Sequence, residues 1–333
     1  MSYPDYISEL LKPVIDGNLP LVIDLFAGCG GLSLGFEANG FNTIGYEMNE
    51  SAASTYTKNL NGFCHTKKLG IGENYPEAGI IIGGPPCQPF SVRGKQKGLK
   101  DSRDGFPIFL DAVTRLKPDI CLFENVRGML YKNKDYLNEI LKELMDLGYN
   151  VYFELLNAKN YQVPQNRERV IVIGAKKNFQ FPKVNFDKIT AGSAVSDLID
   201  NSVNPKLFLT PSMDKYIKKY EIASQCINPR DLHLDRPART LTCRNLAGAT
   251  SDMHRVKLQS GKRRMLTVRE AARLQSFPDW FEFTGSISEQ YKQIGNAVAP
   301  MFSYHLAKTI KKYILEGGLE NTDSKHLYQL EMF

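Results

Sequence analysis

The residue best suited to covalent chemistry is Cys87, which follows a pair of prolines. Residues 83–91 read Gly-Gly-Pro-Pro-Cys-Gln-Pro-Phe-Ser and come directly after the apolar run 79–82. A strand, a rigid turn and then a thiol present a nucleophile at the edge of a sheet. A buried cysteine in a proline turn would give the same local pattern, so the chemistry depends on which groups lie near the thiol.

A carboxylic acid closes a second apolar run. Residues 120–123 read Ile-Cys-Leu-Phe, and they are followed by Glu124, Asn125 and Val126. A thiol and a carboxyl at the tips of neighbouring strands could attack an aromatic ring and supply it with a proton. Glu124 could instead cap a helix. Taken alone, Cys87 and Glu124 each fit a structural role better than a chemical one.

A glycine-rich loop lies upstream of both groups. Residues 24–31 read Asp-Leu-Phe-Ala-Gly-Cys-Gly-Gly, and they join the first predicted strand to the first predicted helix. Glycines let the backbone approach a ligand closely. The G-x-G-G spacing lacks the third glycine of the dinucleotide fingerprint, so it predicts a nucleotide site without specifying the nucleotide. Glu47 ends the second predicted strand, where this fold places an acid for ribose hydroxyls; an exposed strand-end carboxylate is the alternative.

Short strands and amphipathic helices alternate through the first half of the chain. The predicted strands cover residues 21–26, 43–46, 80–83, 120–124, 151–156 and 170–174. The predicted helices cover residues 31–39, 50–59, 106–116 and 136–147. This alternation favours an α/β fold with a parallel sheet, which would bring the strand tips to one edge.

The alternation stops after residue 175. Prolines and polar turns are scattered through residues 176–284, which predicts a smaller, irregular domain. Apolar residues at helical spacing return in residues 289–315. We therefore predict a first domain of residues 1–175 and 285–316, a second domain of residues 176–284, and a loose tail of residues 317–333.

Composition restricts the class of protein. The chain has 333 residues, of which 42% are hydrophobic and 23% charged, as in soluble globular proteins. No apolar stretch approaches the ~18 residues of a membrane span, which predicts no membrane partner. None of the six cysteines forms a C-x-x-C pair or a metal-ligand spacing. This pattern favours a reducing cytoplasmic location and predicts no metal site.

The formal net charge is only +6, but the basic residues are clustered. Five basic residues and one acid lie between Arg93 and Arg103, and five basic residues and no acid lie between Arg255 and Arg264. Two phosphate-binding edges would explain both clusters, and two solvated loops are the alternative.

Motifs in a fixed order resemble the DNA cytosine methyltransferases that modify ring carbon 5, of the bacterial restriction–modification kind. The motifs are residues 24–37, 83–91, 124–126, 165–170, 236–242 and 295–298. The resemblance implies an S-adenosylmethionine-dependent methyltransferase with a Rossmann-like, doubly wound sheet. It also implies that residues 176–284 form the target-recognition domain.

The resemblance assigns chemical roles to four residues. Cys87 would add to carbon 6 of cytosine, and Glu124 would protonate ring nitrogen 3. Arg169 would hold the base carbonyl and Glu124, and Arg167 would support Arg169. The methyl donor would be S-adenosylmethionine, with S-adenosylhomocysteine as the product and no metal.

Binding residues follow from the motifs and from the basic clusters. The expected cofactor contacts are Phe26, Ala27, Gly28, Cys29, Gly30, Gly31, Glu47, Met48, Pro85, Asn296 and Val298. The expected DNA contacts are Gln88, Ser91, Arg93, Lys95, Arg244, Arg255, Arg263 and Arg264. The expected partners are double-stranded DNA, with the target cytosine flipped out of the helix, and a paired restriction endonuclease; the chain itself is expected to be a monomer.

Other functions fit less of the sequence. An RNA methyltransferase of the same family should carry a Cys-Phe-Thr element, which is absent, and amino-methylating enzymes have an aromatic residue where Cys87 follows Pro86. A silent DNA-binding relative should lack Cys87 or Glu124, and a dehydrogenase would need a hydride-transfer site. The family's usual acid for the adenine amine is replaced here by residues 67–70, Lys-Lys-Leu-Gly, so that contact is unassigned. The DNA target sequence is open.

Overall fold

The structure, a computed structural model, describes most of the chain. The described residues are 1–86, 104–183, 186–199, 204–225, 230–248 and 252–318. Cys87 and the predicted DNA contacts Gln88, Ser91, Arg93 and Lys95 lie outside them.

The chain divides into two compact units. The sheet unit contains Lys12–Asn157, Glu168–Lys183 and the chain from Ser303 onward. The companion unit contains Met1–Leu11, Ala158–Arg167 and Val184–Phe302. That residues 1–175 and 285–316 carry the chemistry, while residues 176–284 recognise DNA, stays a prediction.

Within the described residues, seven strands form the main sheet of the sheet unit, in the order β3-β2-β1-β4-β5-β8-β6. These strands are β1 Val22–Leu25, β2 Thr43–Glu47, β3 Phe63–Thr66, β4 Ile80–Gly83, β5 Ile120–Val126, β6 Asn150–Asn157 and β8 Glu168–Ala175. Short strands of the companion unit are β7 Gln165–Asn166, β9 Ala238–Arg239, β10 Arg255–Lys257 and β11 Arg263–Met265.

Helices flank the strands. In the sheet unit the helices are α2 Gly31–Glu37, α3 Glu50–Asn59, α4 Phe106–Leu116 and α5 Lys134–Asp146. The remaining helices are α1 Tyr3–Leu10, α6 Ala191–Ile199, α7 Pro211–Ala223, α8 Cys243–Ala247, α9 Val268–Leu274, α10 Ile287–Asn296 and α11 Pro300–Glu316. Each predicted strand and helix of the first half is confirmed, with ends that differ by a few residues.

The α/β fold class is confirmed, but the prediction of a wholly parallel sheet is wrong at one edge. β1 to β5 pair in parallel, whereas β8 pairs antiparallel with both β5 and β6. Only residues 158–167 separate β6 from β8, and a parallel pair needs a crossover of about a dozen residues or more. The short connection was therefore the feature of the sequence that indicated an antiparallel pair.

Two further differences have simple causes. The helical stretch predicted over residues 289–315 is two helices, because α10 ends before Ala297 and Pro300 begins α11. β3 was not predicted, since its sequence Phe-Cys-His-Thr lacks an apolar run and three of its four residues are exposed.

Buried apolar residues explain why the central strands hold their places. All four residues of β1 and all four of β4 are buried, as expected for strands covered on both faces. Ile23, Leu25 and Ile81 of these strands belong to the same core cluster as Phe106, Phe109 and Phe123, which are at most 1% exposed. The strand ends that follow this core therefore occupy fixed positions at one edge of the sheet.

Candidate active site

The loop from β1 to α2 has a backbone that few residue types adopt. Phe26, Gly28 and Gly30 have φ angles of 62°, 55° and 86°, all in the left-handed region. At Gly30 a Cβ atom would also lie 2.7 Å from the Tyr56 ring, so both the left-handed backbone and the lack of space exclude a side chain there. Ala27, Cys29 and Gly31 are buried along this loop. The first turn of α2 has no side-chain cap at Gly30, so the loop presents a glycine-lined helix N-terminus.

Glu47 fixes the loop against the end of β2. Its Oε2 accepts a hydrogen bond from the Gly28 N–H at 3.0 Å, and its Oε1 accepts one from the Asn49 N–H at 2.8 Å. The Ala27 N–H donates to the Tyr46 carbonyl at 3.1 Å. The neighbouring residue Met48 is 67% exposed, so an apolar surface lies open beside the carboxylate.

Phe26 and the proline pair pack closely against Gly105. A Cβ atom on Gly105 would lie 2.5 Å from Pro86 Cδ, 2.9 Å from Phe26 Cζ and 3.1 Å from Pro85 Cβ. The Gly105 N–H also donates to the Pro86 carbonyl at 3.1 Å. Nothing in the sequence indicates this packing role of Gly105, so it was missed.

Glu124 and Arg169 form an ion pair at the tip of β5. The register aligns Glu124 with Ile171 and Val126 with Arg169, so the two side chains are diagonal neighbours on one face. Arg169 Nε lies 2.5 Å from Glu124 Oε1, and both side chains are 12% exposed. Arg169 also donates to the Glu168 carbonyl at 2.7 Å. The acid predicted from the sequence is therefore oriented by the arginine that the motif pairs with it.

Asn125 ties this strand tip to the proline turn. Its Nδ2 donates to the Pro85 carbonyl at 3.1 Å, and its Oδ1 accepts from the Val126 N–H at 2.8 Å. A Cβ atom on Gly84 would lie 3.8 Å from Glu124 Oε2. The segment that leads into Cys87 thus runs beside Oε2 of Glu124. Asn125 is a further residue whose role the sequence reasoning missed, although it stands inside the acid motif.

Arg167 belongs to the companion unit and binds backbone there. Its guanidinium donates to the carbonyls of Leu241, Gly295 and Ala297 at 2.8, 3.3 and 3.0 Å. The side chain is buried, with 2% exposed. These bonds join three motifs of the sequence. The predicted support of Arg169 by Arg167 stays a prediction.

The C-terminal motif also lies in the companion unit. A Cβ atom on Gly295 would lie 2.3 Å from the Cys243 backbone nitrogen, so only glycine fits where these two backbone segments approach each other. Asn296 is exposed and Val298 is buried. Their predicted contact with the cofactor stays a prediction.

The second basic cluster forms ion pairs inside the companion unit. Arg264 is fully buried and pairs with Glu270 at 2.6 Å. Arg255 is 1% exposed as a residue and pairs with Asp231 and Glu221 at 2.6 and 2.9 Å. The predicted DNA contacts of Arg255 and Arg264 are therefore wrong for this structure, because their charges face carboxylates rather than solvent.

Arg263 and Arg244 differ from these two buried arginines. Arg263 lies between Asp214 and Asp231, with 12% of its side chain exposed. Arg244 is exposed on α8. Charge clustering in the sequence could not separate the four residues, since the carboxylates that neutralise three of them lie up to 49 residues away in the chain.

The profile of the family described as C-5 cytosine-specific DNA methylase matches residues 21–312 of this chain. The chain belongs to this family. The cytosine-5 DNA methyltransferases catalyse methylation of cytosine with S-adenosylmethionine as donor, so the resemblance predicted from the motifs is confirmed and the chain is a DNA cytosine-5 methyltransferase.

Relatives of this methyltransferase match most of its length. It is 56% identical to the Type II methyltransferase M.AplI of Arthrospira platensis over 331 residues, which cover 98% of this chain and 94% of that relative. It is 34% identical to the Type II methyltransferase M.FnuDI of Fusobacterium nucleatum, over 89% of this chain and 95% of that one. These similarities confirm the kinship with bacterial restriction–modification methyltransferases.

Solved structures share the fold of this methyltransferase. The S. pombe Dnmt2 methyltransferase superposes with a TM-score of 0.69 at 17% identity, covering 88% of this chain and 99% of that one. Spodoptera frugiperda DNMT2 superposes with a TM-score of 0.67 at 18% identity, covering 87% and 99%. At these identities the likeness concerns the fold alone.

The loop geometry of this methyltransferase fits S-adenosylmethionine. Left-handed glycines bring bare backbone to the strand edge, a carboxylate stands at the end of β2, and Phe26 and exposed Met48 offer apolar surface. No three His, Cys, Asp or Glu side chains are grouped to hold a metal ion in the described parts of the chain. Across those same ranges, no helix is long and apolar enough to cross a bilayer.

We expect Gly105→Ala to weaken cofactor binding about fivefold or more. The added methyl must displace Pro86 or Phe26, and such overpacking costs about 1–3 kcal/mol. Titration calorimetry with S-adenosylhomocysteine measures the loss. Gly128→Ala is the matched control, because a Cβ atom there meets nothing within 4 Å. Equal affinities for the two variants would show that Gly105 does not position Phe26.

Proposed function

We propose that the protein methylates carbon 5 of a flipped-out cytosine in a specific double-stranded DNA sequence through a covalent Cys87 adduct. One observation supports this proposal most strongly. Arg169 fixes Oε1 of Glu124 at 2.5 Å, while Oε2 lies beside Gly84, three residues before Cys87. An oriented acid next to the chain segment that carries a thiol suits addition to a ring and protonation of that ring.

The proposed chemistry begins with the Cys87 thiolate. A thiolate is the nucleophilic form of cysteine, and its addition to ring carbon 6 breaks the double bond between carbons 5 and 6. Glu124, in its protonated form, gives its proton to nitrogen 3, so that the ring becomes a neutral enamine nucleophilic at carbon 5. S-adenosylmethionine, when bound, supplies an electrophilic methyl group for that carbon. A base then removes the carbon 5 proton, Cys87 leaves with its electron pair, and the proton on nitrogen 3 returns to Glu124.

Cofactor contacts are proposed where the described loop offers them. Gly28, Gly30 and Gly31 would bring the backbone to the ligand, and Phe26 would pack against the adenine. Glu47 would accept hydrogen bonds from the ribose hydroxyls, because a carboxylate oxygen can accept two hydrogen bonds and each of these accepts one from the described residues. Ala27, Cys29, Met48 and Pro85 would complete the surface.

Access to the base requires that it leave the duplex, because carbon 6 is covered by stacking. The polar, basic segment of residues 88–103 would bind the DNA backbone during this step, with Gln88, Ser91, Arg93 and Lys95 as contacts. In the companion unit we propose the exposed Arg244 as a phosphate contact. Lys215, Lys218 and Lys262 line one groove there, and none of them forms an ion pair with a described residue.

The biological setting is also part of the proposal. Type II methyltransferase relatives suggest that methylation protects DNA from a paired restriction endonuclease with the same target. We propose that the protein acts as a monomer on its DNA.

We expect Glu124→Gln to slow methylation about 10²–10⁴-fold, because nitrogen 3 loses its proton donor. Single-turnover methylation of duplex DNA measures this, and bisulfite sequencing of DNA from expressing cells identifies the cytosine involved. Gln keeps the size of the side chain and can still accept a hydrogen bond from Arg169, so DNA and cofactor should bind as in the wild type. Wild-type turnover by this variant would remove Glu124 from the chemistry.

A further inference from the structure

A continuous file of buried side-chain oxygens lies beneath the cofactor loop. Ser33 Oγ lies 2.7 Å from Asp24 Oδ2, and Tyr56 Oη lies 3.1 Å from Ser33 Oγ. Thr43 Oγ1 lies 2.5 Å from Tyr56 Oη and 2.6 Å from Glu37 Oε1. All five residues are at most 1% exposed. Three hydroxyls therefore connect two buried carboxyls.

The position of Tyr56 in this file is tightly fixed. A Cβ atom on Gly30 would lie 2.7 Å from the Tyr56 ring, and one on Gly45 would lie 2.8 Å from it. Two glycines thus clear the space that the ring occupies between the cofactor loop and β2. Because the ring cannot shift, the oxygen contacts at both sides of its hydroxyl are set by packing.

The file has fewer hydroxyl protons than oxygen–oxygen contacts. The file has four oxygen–oxygen contacts, and three hydroxyls can fill only three of them, since each carries one proton. If Ser33 donates to Asp24 and Thr43 donates to Glu37, then Tyr56 can donate to only one neighbour. One contact would then hold two facing lone pairs at hydrogen-bond distance, which is unfavourable in a buried site.

A fourth proton on one carboxyl completes the file. With Asp24 ionised, Ser33 donates to Asp24, Tyr56 donates to Ser33 and Thr43 donates to Glu37, which leaves the contact between Tyr56 and Thr43 without a proton. A proton on Asp24 fills that contact once the Ser33 and Tyr56 hydroxyls reverse: Asp24 then donates to Ser33, Ser33 to Tyr56, Tyr56 to Thr43 and Thr43 to Glu37. Glu37 is the better site for the negative charge, because it also accepts from the N–H groups of Asn61 and Gly62 at 2.7 and 2.8 Å. Asp24 has the carboxylate of Glu47 as a neighbour instead.

We propose that Asp24 is a protonated, neutral carboxylic acid that donates into the Ser33–Tyr56–Thr43 file and thereby positions the cofactor loop. Asp24 lies on β1 one residue before its end, and Ser33 lies in the first turn of α2, so their bond closes the loop at its base. This inference concerns the loop to which the proposed function assigns the cofactor. Its principal test measures protonation and does not depend on methyl transfer.

The surrounding charges agree with this protonation. Burial, followed by the charge of Glu47, raises the pKa of Asp24 to about 7, against the bonds from Ser33. Burial also raises the pKa of Glu37, against its bonds from Thr43, Asn61 and Gly62. The other titratable groups that face Asp24 are Cys29, Cys64 and Tyr56, and burial raises the pKa of each, so they are neutral.

The contribution of Asp24 to the free energy of unfolding should therefore fall as the pH rises. Because the folded pKa of Asp24 is above its unfolded value, folding takes up a proton in the interval between the two. The resulting stabilisation is complete below the unfolded value and is lost as the pH rises through about 7. His254 and His305 have lowered pKa values of about 3 and about 4 from burial, and they change stability in the opposite direction up to their unfolded value. A difference between wild type and variant cancels their effect.

The test is urea unfolding of the whole chain between about pH 6 and about pH 8.5. Asp24→Asn keeps a donor toward Ser33 at every pH, so we expect its unfolding midpoint to rise relative to that of the wild type as the pH increases. Tyr56→Phe leaves two contacts and two hydroxyl protons, so it should remove the need for the fourth proton and flatten the pH profile. Tyr149→Phe is the matched control, since it deletes a buried hydroxyl that donates to the Pro118 carbonyl outside the file.

Two other readouts complete the test. Infrared difference spectra should show a protonated carboxyl stretch that is lost in Asp24→Asn, and S-adenosylhomocysteine affinity should fall several-fold above pH ~7 in the wild type only. Wild-type and Asp24→Asn profiles that run parallel would overturn the proposal, as would a flat profile in Glu37→Gln but not in Asp24→Asn. A pH-independent affinity in the wild type would overturn the positioning of the loop.

Discussion

Replacing Cys87 by Ser is expected to reduce methylation of duplex DNA by at least about a thousandfold. A hydroxyl is a far weaker nucleophile than a thiolate and is little ionised near neutral pH. Loss of the nucleophile in a covalent mechanism removes the whole pathway rather than one contribution to it. Transfer of a radioactive methyl group from S-adenosylmethionine to DNA measures the effect.

The control for this variant is another cysteine. Cys243→Ser changes a partly exposed thiol in the companion unit and should leave activity within a few-fold of the wild type. Both variants should keep their affinity for S-adenosylhomocysteine, because neither thiol belongs to the Gly28 loop. Activity of Cys87→Ser within a few-fold of the wild type would exclude Cys87 as the nucleophile.

Replacing Arg264 by Ala is expected to destabilise the protein by about 3–5 kcal/mol. The side chains of Arg264 and Glu270 are both fully buried and paired at 2.6 Å, so the substitution leaves an unpaired carboxylate in the interior. Arg264 also donates to the Ile199 carbonyl at 2.9 Å. Denaturant unfolding measures the change, which is a large share of the stability of a typical domain.

Two variants test the cause of this destabilisation. Arg264→Met combined with Glu270→Gln removes both charges and keeps an acceptor for the Thr267 N–H, so it should recover part of the loss. Arg244→Ala, an exposed position on α8, should leave stability unchanged and reduce the salt dependence of DNA binding by about one unit of slope. A stable Arg264→Ala with weakened DNA binding would instead restore Arg264 as a DNA contact.

The strand tips were predictable from the sequence for a physical reason. Apolar runs before Gly83 and Glu124 are long enough to specify buried parallel strands, and the carboxyl ends of such strands share an edge. The pairing of Arg169 with Glu124 came only from the resemblance. Its geometry depends on the antiparallel β8, which the sequence reasoning took to be parallel.

Other parts of the site depend on contacts between distant segments. Gly105 follows the basic segment of residues 88–103 with no pattern that marks it, and only the folded chain shows that Pro86 and Phe26 leave no room for a side chain there. The arginines at 255 and 264 were read as a surface cluster, because the sequence does not show which carboxylates neutralise them. The hydroxyl file from Asp24 to Glu37 draws its members from β1, α2, β2 and α3, and no spacing rule connects them.

The covalent step is the central claim, and trapping with modified DNA tests it most directly. Duplex DNA with 5-fluorocytosine in place of cytosine should form a denaturation-resistant complex with the wild-type protein in the presence of S-adenosylmethionine, because fluorine cannot leave as a proton does. Peptide mapping by mass spectrometry should locate the adduct on Cys87, and Cys87→Ser should form none. An adduct on another residue, or an active protein that is never trapped, would contradict the mechanism.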